Sequence, residues 1–192
     1  MELLKRRIRD EATMLPGDVL KADSFMSHQV DVALMDSIGE EFHRLFRATN
    51  PDKIVTVETS GIPAAMAAAR CFDIPLIIAK KAEGHRPLED VYSAHVLSYI
   101  HKQDYTITVS RLYLERGTRV LMIDDFLSSG NALRGLLDIV QTAGAELCGV
   151  GIVVEKAFQH GGDELRSRGI NLKSLCIVES MEHGISFRDQ QL

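Results

Sequence analysis

The sequence predicts an α/β fold with a doubly wound parallel sheet. Strand-like apolar runs alternate with helix-like periodic segments from residue 53 to residue 178, which is typical of parallel strands joined by right-handed helical crossovers. The run at 120–123 is apolar throughout, as expected for a strand buried on both faces. A length of 192 residues, 45% of them hydrophobic, suits one domain spanning residues 1–192.

Two helices are predicted before the first strand of this alternation. Residues 2–10 form a short helix, and residues 29–47 form a stronger one with large apolar side chains stepping along one face. These side chains are Val30, Leu34, Ile38 and Phe42. The Asn50-Pro51 pair ends the second helix.

The remaining elements follow in chain order. Apolar runs predict the strands of the sheet, at 53–58, 75–79, 120–123, 147–155 and 174–178, and a hairpin at 95–101 and 105–112. Helical periodicity predicts helices at 62–71, 131–143 and 163–168. Pro63 lies in the first turn of one helix, where a missing N–H costs nothing, and Gly144 closes another.

Charge and cysteine content narrow the class of protein. A net charge of −5 does not favour a nucleic-acid partner. Cys71, Cys148 and Cys176 match no zinc-binding spacing, and we expect them to be buried, reduced thiols. No apolar stretch is long enough to span a membrane, and the N-terminus lacks the apolar core of a secretory signal. We therefore expect a cytoplasmic protein with no membrane partner.

The segment at 120–132 carries the strongest functional signal. Its apolar strand runs into two adjacent acids, and a loop of small residues then leads into the next helix. After the strand the residues are Asp124, Asp125, Phe126, Leu127, Ser128, Ser129, Gly130, Asn131 and Ala132. Backbone N–H groups of such a loop can close on a phosphate, and carboxylates beside it can bind sugar hydroxyls. An ordinary strand, acidic turn and helix cap would explain the apolar run but not the paired acids, so the pattern indicates a sugar-phosphate site.

This segment resembles the 5-phosphoribosyl-1-diphosphate (PRPP) signature of the type I phosphoribosyltransferases. The resemblance implies the sheet of that family, with a flexible hood and an N-terminal segment that caps the base. It implies that the loop from Ser128 to Ala132 binds PRPP through its 5′-phosphate, and that Asp124 and Asp125 are the catalytic pair that orients the ribose hydroxyls. It also implies Mg²⁺ as cofactor, held mainly by the diphosphate of PRPP, so no residue is named as a direct metal ligand.

Two further segments match the PRPP site of that family. Ser60 and Gly61 lie between a strand and a helix, where the resemblance implies a diphosphate loop; from the residues alone, a simple helix cap would be favoured. Lys80 and Lys81 follow the next strand, where the family has a basic pair that contacts diphosphate, often across a dimer interface. From charge alone, a solvated strand end would be favoured. The family more often has arginine at position 80, and the resemblance implies a homodimer.

The base site is also implied by resemblance. Residues 82–110 correspond to the mobile hood that excludes water. Lys156 and Phe158 match the purine pocket of the 6-oxopurine phosphoribosyltransferases, in which lysine contacts the exocyclic O6. The N-terminal segment resembles that of the bacterial members that act on xanthine, which implies that Leu20 and Ser27 contact the base. Asparagine is usual at position 27.

The resemblance therefore implies a purine-salvage pentosyltransferase with PRPP and xanthine as substrates and xanthosine 5′-monophosphate (XMP) and diphosphate as products. One alternative is transfer to hypoxanthine or guanine, because all three purines present O6. The other is a PRPP-binding regulator with the same fold, which usually carries a DNA-binding domain or a basic face; neither is evident in this sequence. Which aspartate, if either, acts as a base is left open.

Overall fold

The computed structural model describes residues 1–82, 90–97 and 104–189. The helices are α1 (Glu2–Glu11), α2 (Val32–Phe46), α3 (Ile62–Phe72), α4 (Asn131–Ala143) and α5 (Gly161–Ser167). The strands are β1 (Thr13–Leu15), β2 (Val19–Lys21), β3 (Lys53–Val57), β4 (Leu76–Ala82), β5 (Val91–Val96), β6 (Tyr105–Ser110), β7 (Arg119–Leu127), β8 (Glu146–Lys156), β9 (Leu172–Ser180) and β10 (Ser186–Phe187). Short 3₁₀ turns follow α2 and β8.

The central sheet has eight strands in the order β10-β9-β8-β7-β3-β4-β6-β5. Strands β9, β8, β7, β3 and β4 run parallel to their neighbours in this order, while the pairs β4–β6, β5–β6 and β9–β10 are antiparallel. The predicted doubly wound parallel sheet is confirmed for the parallel strands. The antiparallel edges come from the predicted hairpin and from β10, which was not predicted.

Two predicted boundaries are wrong for identifiable reasons. Helix α2 begins at Val32 rather than at 29, because the Asp31 side chain caps it by accepting a hydrogen bond from Leu34 N at 3.0 Å. Strand β7 continues to Leu127 rather than ending at 123, since its pairing with β8 continues past the apolar run. Asp124 and Asp125 therefore lie within the strand instead of following it.

The N-terminal hairpin of β1 and β2 forms a separate two-stranded antiparallel sheet that was not predicted. The predicted hairpin strand at 95–101 is found instead at Val91–Val96 and pairs with β6; residues 98–101 of that prediction lie outside the described residues. The predicted hood at 82–110 is described only in part, because residues 83–89 and 98–103 also lie outside them.

Helices cover both faces of the sheet and create two hydrophobic clusters. Helices α1, α2 and α3 contribute to one cluster, and α4 packs with the β5–β6 hairpin in the other. Cys176 is buried as expected, but Cys71 and Cys148 are only partly buried; all three are free thiols. Within the described ranges, no helix combines the length and apolarity needed to span a membrane.

Candidate functional site

The carboxyl ends of β3, β7 and β8 bring most of the predicted site residues to one edge of the sheet. These strands are parallel and adjacent, so the segments that follow them emerge side by side. The loop after β3 contains Ser60 and Gly61, the loop after β7 contains Ser128 and Ser129, and β8 ends at Lys156.

The loop after β7 leads into helix α4 through a glycine, whose backbone conformation other residues rarely adopt. Gly130 is the N-cap residue with a φ of 83°, in the left-handed region that other residues rarely adopt. The loop therefore lies at the positive end of the helix dipole, where free backbone N–H groups favour an anion.

A cavity of about 420 Å³, the α4 cavity, lies against this loop. Most of its lining comes from the segment at 124–132 and from the β5–β6 hairpin, and the rest from α4 and the turn after β8. The lining residues are Val96, Leu97, Tyr105, Asp124, Phe126, Leu127, Ser128, Ser129, Gly130, Asn131, Ala132, Leu133 and Gln159. The Asn131 Nδ2 donates to Leu97 O at 2.7 Å, which ties the described part of the hood to the start of α4.

Asp124 is a buried acid on the wall of the α4 cavity. Its side chain is close to that of Asp125, whose backbone N–H donates to Asp124 Oδ1 at 3.1 Å. Burial, together with the neighbouring charge of Asp125, raises the pKa of Asp124 well above its ordinary value. Burial and the Asp124 charge also raise the pKa of Tyr105. Negative charge on the Asp124 carboxylate is therefore costly in the unliganded protein.

Gly61 connects the loop after β3 to this acid. A Cβ on Gly61 would come within 2.4 Å of Thr56 Oγ1 and 2.5 Å of Asp124 Oδ1, so no side chain fits there without a shift. Thr56 Oγ1 is buried and has no hydrogen-bond partner among the described residues. The structure thus brings the predicted diphosphate loop directly against the predicted catalytic pair.

The predicted residues Ser27 and Ser60 share a second cavity of about 340 Å³. It lies between the N-terminal segment and the start of α3 and is lined by Met26, Ser27, His28, Thr59, Ser60, Ile62 and Pro63. Ser27 Oγ donates to Asp23 Oδ1 at 3.2 Å. Ser27 is thus placed beside the loop after β3.

The basic pair on β4 is divided between two faces of the strand. Lys80 Nζ donates to Glu58 at 3.0 Å, and its side chain is 61% exposed. Lys81 Nζ lies 5.1 Å from the centroid of the Tyr105 ring, on the side of the α4 cavity. Lys81 is therefore placed beside a residue that lines the α4 cavity, whereas Lys80 lines a different cavity with Thr108.

Three of the four predicted base residues lie at the N-terminal hairpin, and Ser27 is the exception. Lys156 is 5% exposed, and its Nζ donates to the backbone carbonyl of Asp18 at 2.9 Å. Burial lowers the pKa of Lys156, which the charge of Asp18 partly offsets. Leu20 is buried in the second strand of the same hairpin. Phe158 lines a third cavity of about 410 Å³ together with the hairpin residues from Met14 to Asp18.

Two aromatic residues at this edge were not predicted as site residues. Phe126 lines the α4 cavity, and its ring centroid lies 5.8 Å from Lys156 Nζ, so it joins the acid pair to the base residues. Tyr105 joins Lys81 to Asp124 in the same way. The sequence offered a signal for Phe126, which directly follows the two acids, but none for Tyr105, whose strand is distant in the chain.

Comparison with known proteins gives concordant matches. A family model described as phosphoribosyl transferase domain matches residues 30–186. The chain is 48% identical over 190 residues to a xanthine phosphoribosyltransferase of Ruminiclostridium cellulolyticum, covering 98% of this chain and 100% of that protein. It is 46% identical over 184 residues to a xanthine phosphoribosyltransferase of Clostridium novyi, covering 96% and 97%.

Solved structures show the same fold at lower sequence identity. An adenine phosphoribosyltransferase from Giardia lamblia superposes with a TM-score of 0.75 at 20% identity, covering 92% of this chain and 98% of that one. One from Rhodothermus marinus gives 0.73 at 21% identity, covering 92% and 97%. At such identities the likeness concerns the fold alone.

Proposed function

The chain belongs to the phosphoribosyl transferase family, and we propose that it transfers the 5-phosphoribosyl group of PRPP to xanthine, giving XMP and diphosphate. One structural observation carries the proposal. A glycine-capped loop suited to an anion, an acid pair of which Asp124 is buried, and the buried Lys156 meet at one edge of the sheet, where Phe126 lines the α4 cavity and lies near Lys156. This arrangement suits a sugar phosphate and a 6-oxopurine held side by side.

PRPP is proposed to occupy the α4 cavity. The loop from Ser128 to Ala132, now called the phosphate loop, holds the 5′-phosphate through backbone N–H groups and the dipole of α4. Asp124 and Asp125 accept hydrogen bonds from the ribose hydroxyls. The diphosphate extends toward the loop after β3, where Gly61 leaves room beside Asp124.

The proposed reaction is substitution at C1 of the ribose. A ring nitrogen of xanthine forms the new C–N bond, the C1–O bond breaks, and diphosphate leaves with the electron pair; the nitrogen then loses its proton. The buried Asp124 and the partly buried Asp125 are proposed to stabilise positive charge that develops on the sugar. The burial of Asp124 strengthens that interaction, because few water molecules compete with it.

Xanthine is proposed to bind between the N-terminal hairpin and the end of β8. Lys156 carries three N–H donors, and the Asp18 carbonyl uses one of them, so donors are left for O6 of the purine. Phe158 and Leu20 provide apolar surface for the ring. Ser27 is proposed to reach the base from the opposite side, with water bridging the distance that the usual asparagine would span.

Mg²⁺ is the proposed cofactor. Asp124 on the wall of the α4 cavity and its neighbour Asp125 offer hard oxygen donors, and Mg²⁺ commonly binds through one or two carboxylates together with substrate phosphates. We therefore propose that it is held mainly by the diphosphate of PRPP. Bound there, it would neutralise charge that builds on the leaving group.

We further propose that residues 1–192 act as one domain of a cytoplasmic homodimer. Lys80 is largely exposed on the face of β4 away from the α4 cavity, which suits a contact with the diphosphate site of a second copy. Sedimentation of the purified protein at micromolar concentration tests the dimer; a monomer throughout would contradict it.

Product formation tests the proposed function. The purified protein is incubated with PRPP and Mg²⁺ and, in parallel, with xanthine, guanine, hypoxanthine or adenine. We expect XMP to form with the highest kcat/KM. A higher kcat/KM with hypoxanthine or guanine would identify the other 6-oxopurine activity, and PRPP binding without any nucleotide product would identify a regulator.

A further inference from the structure

The segment between β8 and β9 passes from the base residues to the phosphate loop. Residues 155–167 are here called the return segment. Lys156 and Phe158, near its start, lie on the side of the N-terminal hairpin, and its last residues form helix α5. The first residue of α5, Gly161, donates its backbone N–H to Ser128 O at 3.2 Å. One short segment therefore contacts both proposed substrate sites.

Gly161 lies flat against the backbone of the phosphate loop. A Cβ on Gly161 would come within 2.2 Å of Ser128 O and 2.9 Å of Gly130 N. Helix α5 has a second link to this region, because Arg134 of α4 donates to Glu164 at 2.9 Å. A displacement of α5 would therefore move the phosphate loop or open a gap behind it.

An ion pair between the buried Glu155 and the partly exposed Arg166 closes the return segment. Arg166 Nη1 donates to Glu155 Oε1 at 2.8 Å and Nη2 donates to Oε2 at 2.6 Å, which is a two-point contact between residues eleven positions apart. The Glu155 side chain is fully buried, and Ser174 Oγ of β9 also donates to it. Such a paired fork defines orientation as well as distance.

We propose that Arg166 and Glu155 are positioning residues that hold the phosphate loop and the base site at the separation required for transfer. The proposal takes the identity of the two substrates from the proposed function. A buried ion pair is weak evidence for stability by itself, because apolar residues of similar size often stabilise a fold equally well. Here the pair joins the two ends of the segment that contacts both sites, which gives it a geometric role.

The expected consequence is a loss of alignment between the reacting atoms. A misplacement of about 1 Å can lower the rate roughly a hundredfold even when the change lies away from the chemistry. Loosening the pair should therefore lower kcat more than it raises the KM for xanthine. It should also weaken binding of ribose 5-phosphate, since Gly161 supports the phosphate loop from behind.

Arg166→Lys is the primary test, because it keeps the positive charge and removes the fork. Arg168→Lys is the matched control, an exposed arginine just after α5. We expect Arg166→Lys to lower kcat by about tenfold or more. We also expect it to bind ribose 5-phosphate more weakly than the control does, with a higher Kd in calorimetry. Both kcat and Kd within twofold of those of Arg168→Lys would overturn the proposal.

The double variant Glu155→Gln with Arg166→Met separates positioning from stability. It removes both charges, so no uncompensated charge is left buried even if the single variant folds poorly. We expect its kcat to stay low when its thermal midpoint is close to that of the unmodified protein. If both kcat and the thermal midpoint return to the values of the unmodified protein, the ion pair between Arg166 and Glu155 serves stability alone. If the unmodified protein makes no XMP, the proposed function fails, and the ribose 5-phosphate Kd values of the same variants still decide the positioning role.

Discussion

Gly61 lies against Asp124 so closely that a Cβ at position 61 would be 2.5 Å from Asp124 Oδ1. The two residues are separated in the chain by α3, β4 and the β5–β6 hairpin, yet they lie side by side in the proposed PRPP site. The site therefore requires a residue without a side chain at position 61.

Gly61→Ala should lower kcat/KM for PRPP by at least about tenfold, because the added methyl group must displace either Asp124 or the loop after β3. The backbone at Gly61 has a φ of −70°, which alanine adopts without strain, so the fold should be retained. Steady-state kinetics with PRPP as the varied substrate measure the effect. Met66→Ala, at an exposed position on the same helix, is the control and should be neutral.

Asp124→Asn should abolish most turnover and yet stabilise the unliganded protein at neutral pH. Burial and Asp125 raise the pKa of Asp124 in the folded state, whereas the unfolded chain has an ordinary value of about 3.9. The folded protein therefore binds this proton more tightly, so stability falls as pH rises from the unfolded pKa through the folded one. Asparagine removes that penalty, and its oxygen can still accept from Asp125 N.

Thermal unfolding midpoints of both proteins across a pH series measure this effect. The advantage of Asp124→Asn should grow as pH rises through the window above about 3.9. A variant that is less stable than the parent at every pH would show that the Asp124 carboxylate is already compensated in the unliganded protein.

Gly130→Ala should separate anion binding from backbone strain. Gly130 has a φ of 83° and Gly117 has a φ of 81°, so alanine at either position should cost a similar amount, about 1–2 kcal/mol. Position 117 has no atom within 4 Å of an added Cβ and is not part of the proposed site. Only Gly130→Ala should lower the affinity for both PRPP and XMP, as measured by calorimetry. If the Gly130→Ala and Gly117→Ala variants bind these ligands equally well, the phosphate binds elsewhere.

Lys156→Met should weaken the binding of 6-oxopurines and leave the binding of PRPP unchanged. Methionine keeps an apolar stem but lacks the Nζ group, which lies 5.8 Å from the centroid of the Phe126 ring, and so cannot donate to O6. A hydrogen bond from a charged donor contributes about 1.5–3 kcal/mol, which corresponds to roughly a tenfold to hundredfold loss in kcat/KM for xanthine, guanine and hypoxanthine alike. If PRPP affinity falls and base affinity does not, Lys156 faces the diphosphate instead.

The sequence was sufficient for the elements with strong local patterns. Helix 131–143 was predicted with the boundaries that α4 has, because its apolar face and its closing glycine are both local signals. The end of β7 was not, since hydrogen bonding to β8 continues through Asp124 and Asp125 regardless of side-chain polarity. Strands β1, β2 and β10 are two or three residues long, too short to show alternation.

The candidate site was predictable where the residues form a contiguous motif and not where they meet through the fold. The contact from Lys156 to Asp18 joins residues 138 positions apart, and no local pattern encodes it. The separation of Lys80 and Lys81 depends on which face of β4 is turned toward Tyr105. The fork from Arg166 to Glu155 likewise requires the return of α5 onto β8, which only the packed structure defines.

A crystal structure with XMP bound tests the central claim most directly, because XMP contains both the 5′-phosphate and the 6-oxopurine. We expect phosphate oxygens within hydrogen-bond distance of backbone N–H groups between Ser128 and Ala132, and O6 within hydrogen-bond distance of Lys156 Nζ. A phosphate bound away from the start of α4, or a purine whose O6 faces away from Lys156, would contradict it.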